Sequence, residues 1–522
     1  MPESIKIIEN GFLIACDRQG TIGYFSLLVK GDRIAEISTG SDSFKARFPN
    51  AERVDATEKV LFPGFIDAHY HGESFVLRNW TSGIPMHRWN KEPAARFLLK
   101  YVYHQATKEE LVVLYRAAYF SALKSGITCI SEYCFDNLDT PFVAAREAMK
   151  RSDLRGFVGA HNGEQIEQAK TQIPHFVRTA LVLPGEDDLT TYNLQTTLRN
   201  ADELHWPIIS HLGETRKGLE TLKRNFNRSV AHILDEYRLF ALPLQLVHCV
   251  SLEEGDQLFM AKSQAPLILN AASVLSKRSD VPPLDLLIGS GMTLALCSDW
   301  GPPDPFENMR ALQHLVRMSG IEALDPGTIL ATHTINAARA LGMQDETGSL
   351  EPGKRADITF LDVSDLRLQL AFLHGHRSTM LSNLIAQATA QMVSDVMING
   401  EFFLRKRQVM TYAEEDLKNE YRDILERFSS LTGIPLLNEK GIRPVSEEIQ
   451  HATPILPLTT TLPAVQQQDS EDVMNEPFEE GFRIVGANEP TPPPVQRPEH
   501  EEKESDRELP KTVRRVFGDD DI

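Results

Sequence analysis

Short apolar runs alternate with amphipathic helical stretches through the middle of the chain. Eight runs have the length and composition of buried strands, and they cover residues 61–69, 127–134, 156–161, 177–183, 207–212, 244–249, 266–270 and 293–298. The clearest helix is predicted for 109–124, behind a capping box of Thr107 and Glu110. Eight strands that alternate with helices predict an α/β fold, a parallel (β/α)₈ TIM barrel.

The residues on both sides of this region alternate apolar and polar positions, which is typical of short antiparallel strands. The pattern runs through the first part of the chain and returns near 357–361 and 396–402. Both flanks are therefore expected to form one small domain. The predicted domains are a composite β-sandwich domain from 1–60 and 347–412, and a TIM-barrel domain from 61–346.

The composition changes after the second flank. A helical pattern predicts a C-terminal helix within 413–440 that packs on the body of the protein. From 446 to 522, glutamine, proline and charged residues dominate, and such a segment cannot bury enough apolar surface to offset the entropy of ordering. We therefore predict a disordered acidic tail at 446–522 that acts as a solubilising extension, with docking to a partner as the alternative.

Charge and cysteine content narrow the class of protein. The net charge of −19 argues against binding to nucleic acid or to an anionic membrane. Residues 441–522 hold 18 acidic and 8 basic side chains, so about half of the negative excess lies in the predicted tail. Five cysteines without a C-x-x-C pair indicate reduced thiols, and no signal-peptide pattern is present. The expected location is the cytoplasm.

Side chains that bind metals stand at the ends of several predicted strands. His69 and His71 are two residues apart, so a strand presents both on one face. His211 and Asp299 follow two other apolar runs, and the carboxyl ends of barrel strands meet at one face. Three imidazoles and one carboxylate suit zinc or ferrous iron and are poor ligands for calcium or magnesium. We therefore predict one metal site built from these four residues.

Further candidates surround this predicted site. Glu214 lies three residues beyond His211, just past the same strand end, so it can reach the site without being a ligand and is the predicted general acid/base. His248 lies one residue before the end of the run 244–249 and is a candidate catalytic residue. The candidate substrate-binding residues are Glu73, Arg78, His161 and Trp300.

These segments together resemble the amidohydrolase superfamily. The resemblance is closest to its aminohydrolase branch, which includes the chlorotriazine hydrolases and the deaminases of guanine, cytosine and S-adenosylhomocysteine. The matching segments are PGFIDAHYH (63–71), HLGET (211–215), LVHC (246–249), LCSD (296–299), ATHTINAARALG (331–342) and GSLEPGKRAD (348–357).

The resemblance implies a metal-dependent hydrolase that acts on a non-peptide C–N bond. The expected reaction is hydrolytic deamination of a purine, pterin, pyrimidine or triazine-like ring by a metal-activated water. In this scheme Asp299 also accepts a proton from the water, and His248 orients it. Binuclear members carry a bridging lysine on the fourth strand, and 177–183 contains none. One divalent ion is therefore expected, with zinc preferred over iron.

Three departures from the family pattern leave the identity of the substrate open. LPGE (183–186) stands where relatives carry Pro-His, Trp300 follows the predicted metal ligand, and RNW (78–80) replaces Leu-Leu-Arg-Gly. The alternative functions are an amidase or cyclic-amide hydrolase with the same mononuclear site, and a non-catalytic scaffold. The expected partners are a small-molecule substrate and a second copy in a homodimer, with no nucleic acid and no membrane.

Overall fold

The computed structural model describes most of the chain before residue 433. The described residues are 4–81, 84, 88–89, 93–134, 138–171, 176–186, 188–253, 255–263, 265–277, 281–369 and 377–432. The predicted acidic tail, 446–522, and the end of the predicted C-terminal helix lie outside these ranges. Among the described residues, no helix is both long enough and apolar enough to cross a bilayer.

Seventeen strands occur within the described ranges. They are β1 Ile5–Ile14, β2 Ile22–Lys30, β3 Arg33–Ser38, β4 Glu52–Asp55, β5 Lys59–Pro63, β6 Phe65–Tyr70, β7 Ile127–Glu132, β8 Arg155–Ala160, β9 Val177–Leu183, β10 Ile208–Leu212, β11 Leu244–His248, β12 Leu267–Leu269, β13 Leu294–Leu296, β14 Ile358–Asp362, β15 Val393–Ile398, β16 Glu401–Arg405 and β17 Gln408–Val409.

Eighteen α-helices lie between and around these strands in the same ranges. They are α1 Asp42–Arg47, α2 Ser74–Thr81, α3 Pro93–His104, α4 Lys108–Lys124, α5 Asp139–Arg151, α6 Gly163–Thr171, α7 Thr191–Leu204, α8 Arg216–Phe226, α9 Val230–Glu236, α10 Asp256–Lys262, α11 Ala271–Lys277, α12 Leu284–Gly289, α13 Pro305–Met318, α14 Pro326–Ala331, α15 Ile335–Ala340, α16 Leu366–Gln369, α17 Arg377–Gln387 and α18 Glu414–Thr432.

The strands β6 to β13 form a parallel barrel in chain order. Each strand pairs with the next one along the chain, and a parallel bridge between Tyr70 and Asp299 brings the last strand back to the first. Two backbone hydrogen bonds support this closure, from Asp299 N to His69 O at 3.0 Å and from His71 N to Asp299 O at 3.3 Å. The predicted (β/α)₈ fold is confirmed, and the closure joins two segments that the sequence predicts to bind one metal.

Helix α4 shows how local sequence determines the elements around the barrel. The Thr107 hydroxyl accepts a hydrogen bond from Glu110 N, and the Glu110 carboxylate accepts one from Thr107 N, as the predicted capping box requires. Leu111, Leu114 and Tyr115 are buried on its inner face. The helix that the apolar spacing predicts is therefore present, with its start where the cap places it.

Both flanks of the barrel region contribute to one nine-stranded mixed sheet. Its order is β17-β16-β15-β14-β5-β1-β2-β3, with β4 paired to β1. Buried residues of both flanks share one apolar cluster, which includes Ile8, Leu27, Ile358 and Met397. The composite β domain is thus a single hydrogen-bonded sheet. It is held together by the pairing of β14 with β5, whose residues lie about three hundred positions apart in the chain.

The first predicted strand, 61–69, is divided between the two sheets. Residues up to Pro63 belong to β5, which pairs with β14, and the barrel strand β6 starts at Phe65. Gly64 donates its N–H to Asp357 O at 2.8 Å, whereas Phe65 donates to Gly126 O at 3.0 Å. The chain therefore changes partners at Gly64, and continuous apolar character hides this change in the sequence.

Replacing Gly64 with alanine is expected to lower the free energy of unfolding by about 1–3 kcal/mol, the usual cost of overpacking. A Cβ atom at this position would lie 2.8 Å from Cβ of Thr128, and closer still to its Oγ1. Thr128 is a β-branched residue of the buried strand β7, so its side chain has little freedom to move away. Chemical denaturation of the purified protein measures the change.

Gly163→Ala is the matched control for this substitution. A Cβ atom at Gly163 would meet no other atom within 4 Å, and the residue starts α6. Because alanine is the better helix former, the control should be neutral or slightly stabilising. Equal unfolding free energies for Gly64→Ala and the wild type would show that the sheet boundary does not depend on this close approach.

Helix α18 lies against the outer side of the barrel at α4. Lys124 Nζ is 3.0 Å from Glu414 Oε2, and Arg116 Nη1 is 3.1 Å from Glu420 Oε2. The rings of Tyr101 and Phe428 pack edge to face with centroids 4.7 Å apart. The predicted C-terminal helix is therefore described over Glu414–Thr432, in contact with the body of the protein.

Candidate active site

Three imidazole rings converge at the carboxyl end of the barrel. His69 lies on β6, His71 follows it directly, and His211 lies on the fifth barrel strand, β10. The Nε2 atoms of His69 and His71 are 3.2 Å apart, and the Nε2 atoms of His69 and His211 are 2.9 Å apart. A neutral imidazole has one ring nitrogen with a free lone pair. One cation among these three nitrogens would satisfy all of them.

Asp299 closes this group of donors from the end of the last barrel strand. Its Oδ1 atom lies 3.4 Å from His71 Nε2 and 3.9 Å from His69 Nε2. Among the described residues, Oδ1 has no hydrogen-bond donor although it is completely buried. A buried carboxylate oxygen without a partner is costly, and a bound cation would remove that cost.

The other oxygen of Asp299 is fully engaged. Asn270 Nδ2 donates to Oδ2 at 2.9 Å, Ser273 Oγ donates at 2.7 Å, and Lys277 Nζ lies 2.6 Å away. These contacts orient the carboxylate so that Oδ1 points towards the imidazoles. Among the described residues, three overlapping groups of donor atoms could hold an ion: His69, His71 and His211; His69, His248 and Asp299; and His211, Glu214 and His248. The four predicted residues fall in the first two groups, and the second also contains His248.

The electrostatic state of these residues fits a divalent metal. Burial, reinforced by neighbouring imidazoles, holds the pKa values of His69 and His211 well below the usual histidine value. Burial alone would raise the pKa of Asp299, but Lys277 and the nearby histidines outweigh it and hold that pKa well below its usual value. Neutral imidazoles and an ionised carboxylate are the forms that bind metals. The donor set therefore fits one divalent ion.

The backbone is strained at His248 and at Asp299, which stand at the ends of two barrel strands around the site. His248 has φ 76° and Asp299 has φ 49°, both in the left-handed region that non-glycine residues rarely adopt. Each follows or ends a barrel strand, where the chain turns outward towards the next helix. Such conformations persist where the surrounding structure enforces them, and they cluster at functional sites.

Glu214 lies beside the metal-binding group without belonging to its centre. Its Oε2 atom is 4.0 Å from His211 Nδ1, and its Oε1 atom is 3.8 Å from His248 Nε2. The Glu214 side chain is 28% exposed, whereas His248 is 1% exposed. Glu214 can therefore exchange protons with solvent and with a bound molecule. His248 Nε2 is buried and has no hydrogen-bond partner among the described residues.

The segment LPGE (183–186), where the sequence departs from the family pattern, anchors the loop that carries Glu214. The Glu186 carboxylate accepts a hydrogen bond from Gly213 N, and Ser251 N donates to Gly213 O at 2.7 Å. Gly213 has φ 60°, and a Cβ atom there would collide with Ser251 O. The loop before α8 is therefore held from both sides, which limits the positions that Glu214 can take.

Trp300, His161 and Arg78 lie around the site at different depths. The Trp300 ring is 5.7 Å from the His71 ring and 4.7 Å from the Trp89 ring, so it forms a wall beside the metal-binding histidines. His161 is half-buried, and its Nε2 lies 3.0 Å from Tyr133 O. Arg78 lies over the Phe75 ring and donates to Gly301 O at 3.4 Å. Their contact with substrate stays a prediction.

Glu73 lies on the side of the His71 ring that faces away from His69. Its Oε1 atom is 3.2 Å from His71 Nδ1, the ring nitrogen that faces away from the other histidines. Its Oε2 atom accepts a hydrogen bond from Tyr115 OH at 3.3 Å, and the side chain is 1% exposed. In this position the carboxylate orients the His71 imidazole and fixes which nitrogen faces the site, and its contact with substrate stays a prediction.

Replacing Glu73 with glutamine is expected to lower metal affinity roughly 10–100-fold, the usual effect of losing a carboxylate partner of a ligating histidine. The amide keeps the size of the side chain but removes the negative charge that holds His71 Nδ1–H. Competition with a chelator of known affinity measures the change. Unchanged metal affinity together with a raised KM would instead support a direct substrate contact.

Two residues of the site carry no clear signal in the sequence. Lys277 is 4% exposed at the end of α11, although lysines on short helices are usually exposed to solvent. Tyr133 follows β7, and its ring stacks on His211 with centroids 4.0 Å apart and an interplanar angle of 11°. Tyr133 stands near the end of the predicted strand 127–134, whereas Lys277 lies seven residues beyond the predicted strand 266–270. Nothing in the local pattern distinguishes them from packing residues.

Comparison with known proteins agrees with this geometry. The model of the Amidohydrolase family matches residues 60–403, about two thirds of the chain. The chain belongs to the amidohydrolase family. The predicted family membership is confirmed.

Two curated relatives of this amidohydrolase are both named 5-methylthioadenosine/S-adenosylhomocysteine deaminase. The 5-methylthioadenosine/S-adenosylhomocysteine deaminase of Desulforudis audaxviator is 27% identical over 389 residues, or 70% of this chain and 86% of the relative. The enzyme of that name from Syntrophomonas wolfei is 25% identical over 418 residues, or 76% of this chain and 93% of the relative.

Solved structures share the fold of this amidohydrolase. An adenosine deaminase from Xanthomonas campestris with bound zinc has a TM-score of 0.73 and 24% identity, and the match covers 82% of this chain and all of that one. A guanine deaminase from C. acetobutylicum with bound guanine has a TM-score of 0.66 and 16% identity, over 76% of this chain. At these identities the likeness shows the architecture alone.

Proposed function

We propose that this protein hydrolytically deaminates an amino-substituted nitrogen heterocycle, with one zinc ion held by His69, His71, His211 and Asp299. The observation that carries the proposal is the convergence of three Nε2 atoms and an unpartnered carboxylate oxygen beside Glu214. The deaminase names of the relatives support the same reaction class. The substrate is proposed to be a small molecule, and the assembly a homodimer.

A divalent ion at this site would act as a Lewis acid and would lower the pKa of water towards about 7. Glu214 accepts a proton from the attacking water and delivers it to the leaving nitrogen, because an amide anion is too basic to leave. Its carboxylate is suited to this transfer, since it is close to His211 and His248 and remains partly exposed.

Asp299 and His248 have different tasks in this mechanism. Because Oδ2 of Asp299 is occupied by donors, Oδ1 is the atom left to bind the ion or to receive a proton. His248 Nε2 is directed into the site, where it orients the water and stabilises the developing negative charge. The rings of Tyr133 and Trp300 flank the histidines and suit a flat aromatic substrate.

Elemental analysis followed by an ammonia-release screen tests this function. The purified protein should hold one divalent ion per chain, and at least one aminopurine, aminopterin, aminopyrimidine or aminotriazine should release ammonia. Turnover of amides, ureas or cyclic amides alone would establish the amidase alternative. Absence of both metal and turnover would favour a non-catalytic scaffold.

A further inference from the structure

Lys277 is a buried cation in the site that the deamination mechanism above does not use. Its Nζ atom lies 2.6 Å from Asp299 Oδ2, 3.8 Å from Glu214 Oε1 and 6.0 Å from the centre of the Trp300 ring. The side chain is 4% exposed. An ammonium in such a position carries a desolvation cost, which its two carboxylate neighbours offset in part.

The orientation of Asp299 does not depend on this ammonium alone. A carboxylate oxygen has two lone pairs, and Asn270 and Ser273 already donate to Oδ2 at 2.9 Å and 2.7 Å. Among the described residues, the ion-pair partners of Lys277 are Asp299 and Glu214. Because Nζ has three N–H groups, it retains the capacity to donate to a bound molecule.

Lys277 is a positive charge on the side of the site where Asp299 and Glu214 meet. With neutral imidazoles, the carboxylates of Asp299, Glu214 and Glu73 would carry one negative charge more than a divalent ion balances, and Lys277 offsets that charge. A poorly solvated ammonium that can still donate an N–H group attracts an anionic oxygen of a ligand. The protein as a whole carries a net charge of −19, so this preference is local to the site.

We propose that Lys277 recognises an anionic oxygen of the substrate, and that the site takes amino-heterocycles with a carboxylate or deprotonated ring oxygen beside the reacting carbon. The proposal rests on the proposed function, in which Glu214 protonates the leaving nitrogen. Because Nζ lies within 4 Å of the Glu214 carboxylate, the group that Lys277 contacts must be a close neighbour of that nitrogen. Lys277 is therefore a specificity-determining residue.

Anion binding to the cobalt-loaded protein tests this role without knowledge of the substrate. The visible spectrum of bound cobalt is followed while acetate or benzoate is added to the wild type and to Lys277→Met. Acetate and benzoate should bind about tenfold more weakly to the variant, the loss expected for one charge-assisted contact. Acetamide, which has the same shape without the charge, should not distinguish the two proteins.

Lys277→Arg keeps the charge and separates recognition from folding. It should retain most of the preference for acetate over acetamide, while Lys277→Met loses it at equal cobalt content. If Lys277→Met does not hold cobalt, Lys277→Gln takes its place in the same comparison. Equal acetate affinity in the wild type and the neutral variant, or no acetate binding to either, overturns the proposal.

The outcomes distinguish this inference from the proposed function. If the wild type prefers acetate through Lys277 but no heterocycle releases ammonia, the anion site stands and the deaminase proposal falls. If ammonia is released but acetate affinity does not depend on Lys277, the deaminase proposal stands and the anion site is rejected.

Discussion

Glu214→Gln is expected to keep the metal and to lose turnover by about 10²–10⁴-fold, the usual contribution of a general acid/base. Glutamine preserves the size of the side chain but can neither accept the proton of the water nor pass it to the leaving nitrogen. Glu214 Oε2 is 4.0 Å from His211 Nδ1, whereas the His211 nitrogen that faces His69 is Nε2. The carboxylate therefore lies away from the point where the three Nε2 atoms converge. Metal content by elemental analysis and kcat on the substrate identified by the ammonia screen measure both effects.

Glu220→Gln is the matched control for this prediction. Glu220 lies on the exposed side of α8, the helix that directly follows the Glu214 loop, and its substitution makes the same change in net charge. It should leave kcat and metal content unchanged. Near-full activity of Glu214→Gln would show that another group handles the proton. Loss of metal in that variant would instead indicate that Glu214 binds the metal.

His211→Ala is expected to lose the metal. The substitution removes the nitrogen that lies 2.9 Å from His69 Nε2, one of three imidazole donors at the site. Loss of a direct ligand should weaken metal binding by more than the roughly 100-fold upper effect of losing a ligand's hydrogen-bond partner. Activity should fall with metal content, and excess zinc should no longer raise the melting temperature, because only binding to the folded state stabilises it.

His314→Ala is the control for the histidine substitution. His314 is exposed on α13, so its removal should change neither metal content nor melting temperature. The comparison is made by elemental analysis and by thermal denaturation with and without added zinc. If His211→Ala still bound one ion with wild-type affinity, the donor set would have to be rebuilt without the fifth barrel strand.

Local sequence was sufficient to predict the architecture and to propose the four metal-binding residues. Each barrel strand is a short apolar run between turn signals, and its periodicity does not depend on distant residues. His69 and His71 share a face because strand geometry alternates at every residue. His211 and Asp299 could be added because all carboxyl ends of a parallel barrel lie on the same side. These inferences need only the strand pattern and the order of the strands.

The boundary between the two sheets required long-range pairing. Residues on either side of Gly64 are equally apolar, so nothing in the local pattern marks the change of partner from β14 to β7. The position of Glu73 has a similar cause. A carboxylate two residues after a metal ligand could face the substrate or the opposite nitrogen of His71, and the packing of Tyr115 and α4 decides for the latter.

The sequence alone predicted a barrel with a metal site, since strand periodicity and the types of ligand side chain are local properties, and its resemblance to the amidohydrolases implied a hydrolase. Only the tertiary structure decided what surrounds the metal-binding group. Tyr133 follows β7, Glu186 follows β9 and Lys277 ends α11, and each contacts a residue of the site or its loop. Their contacts depend on register, barrel closure and backbone turns, which no local pattern encodes.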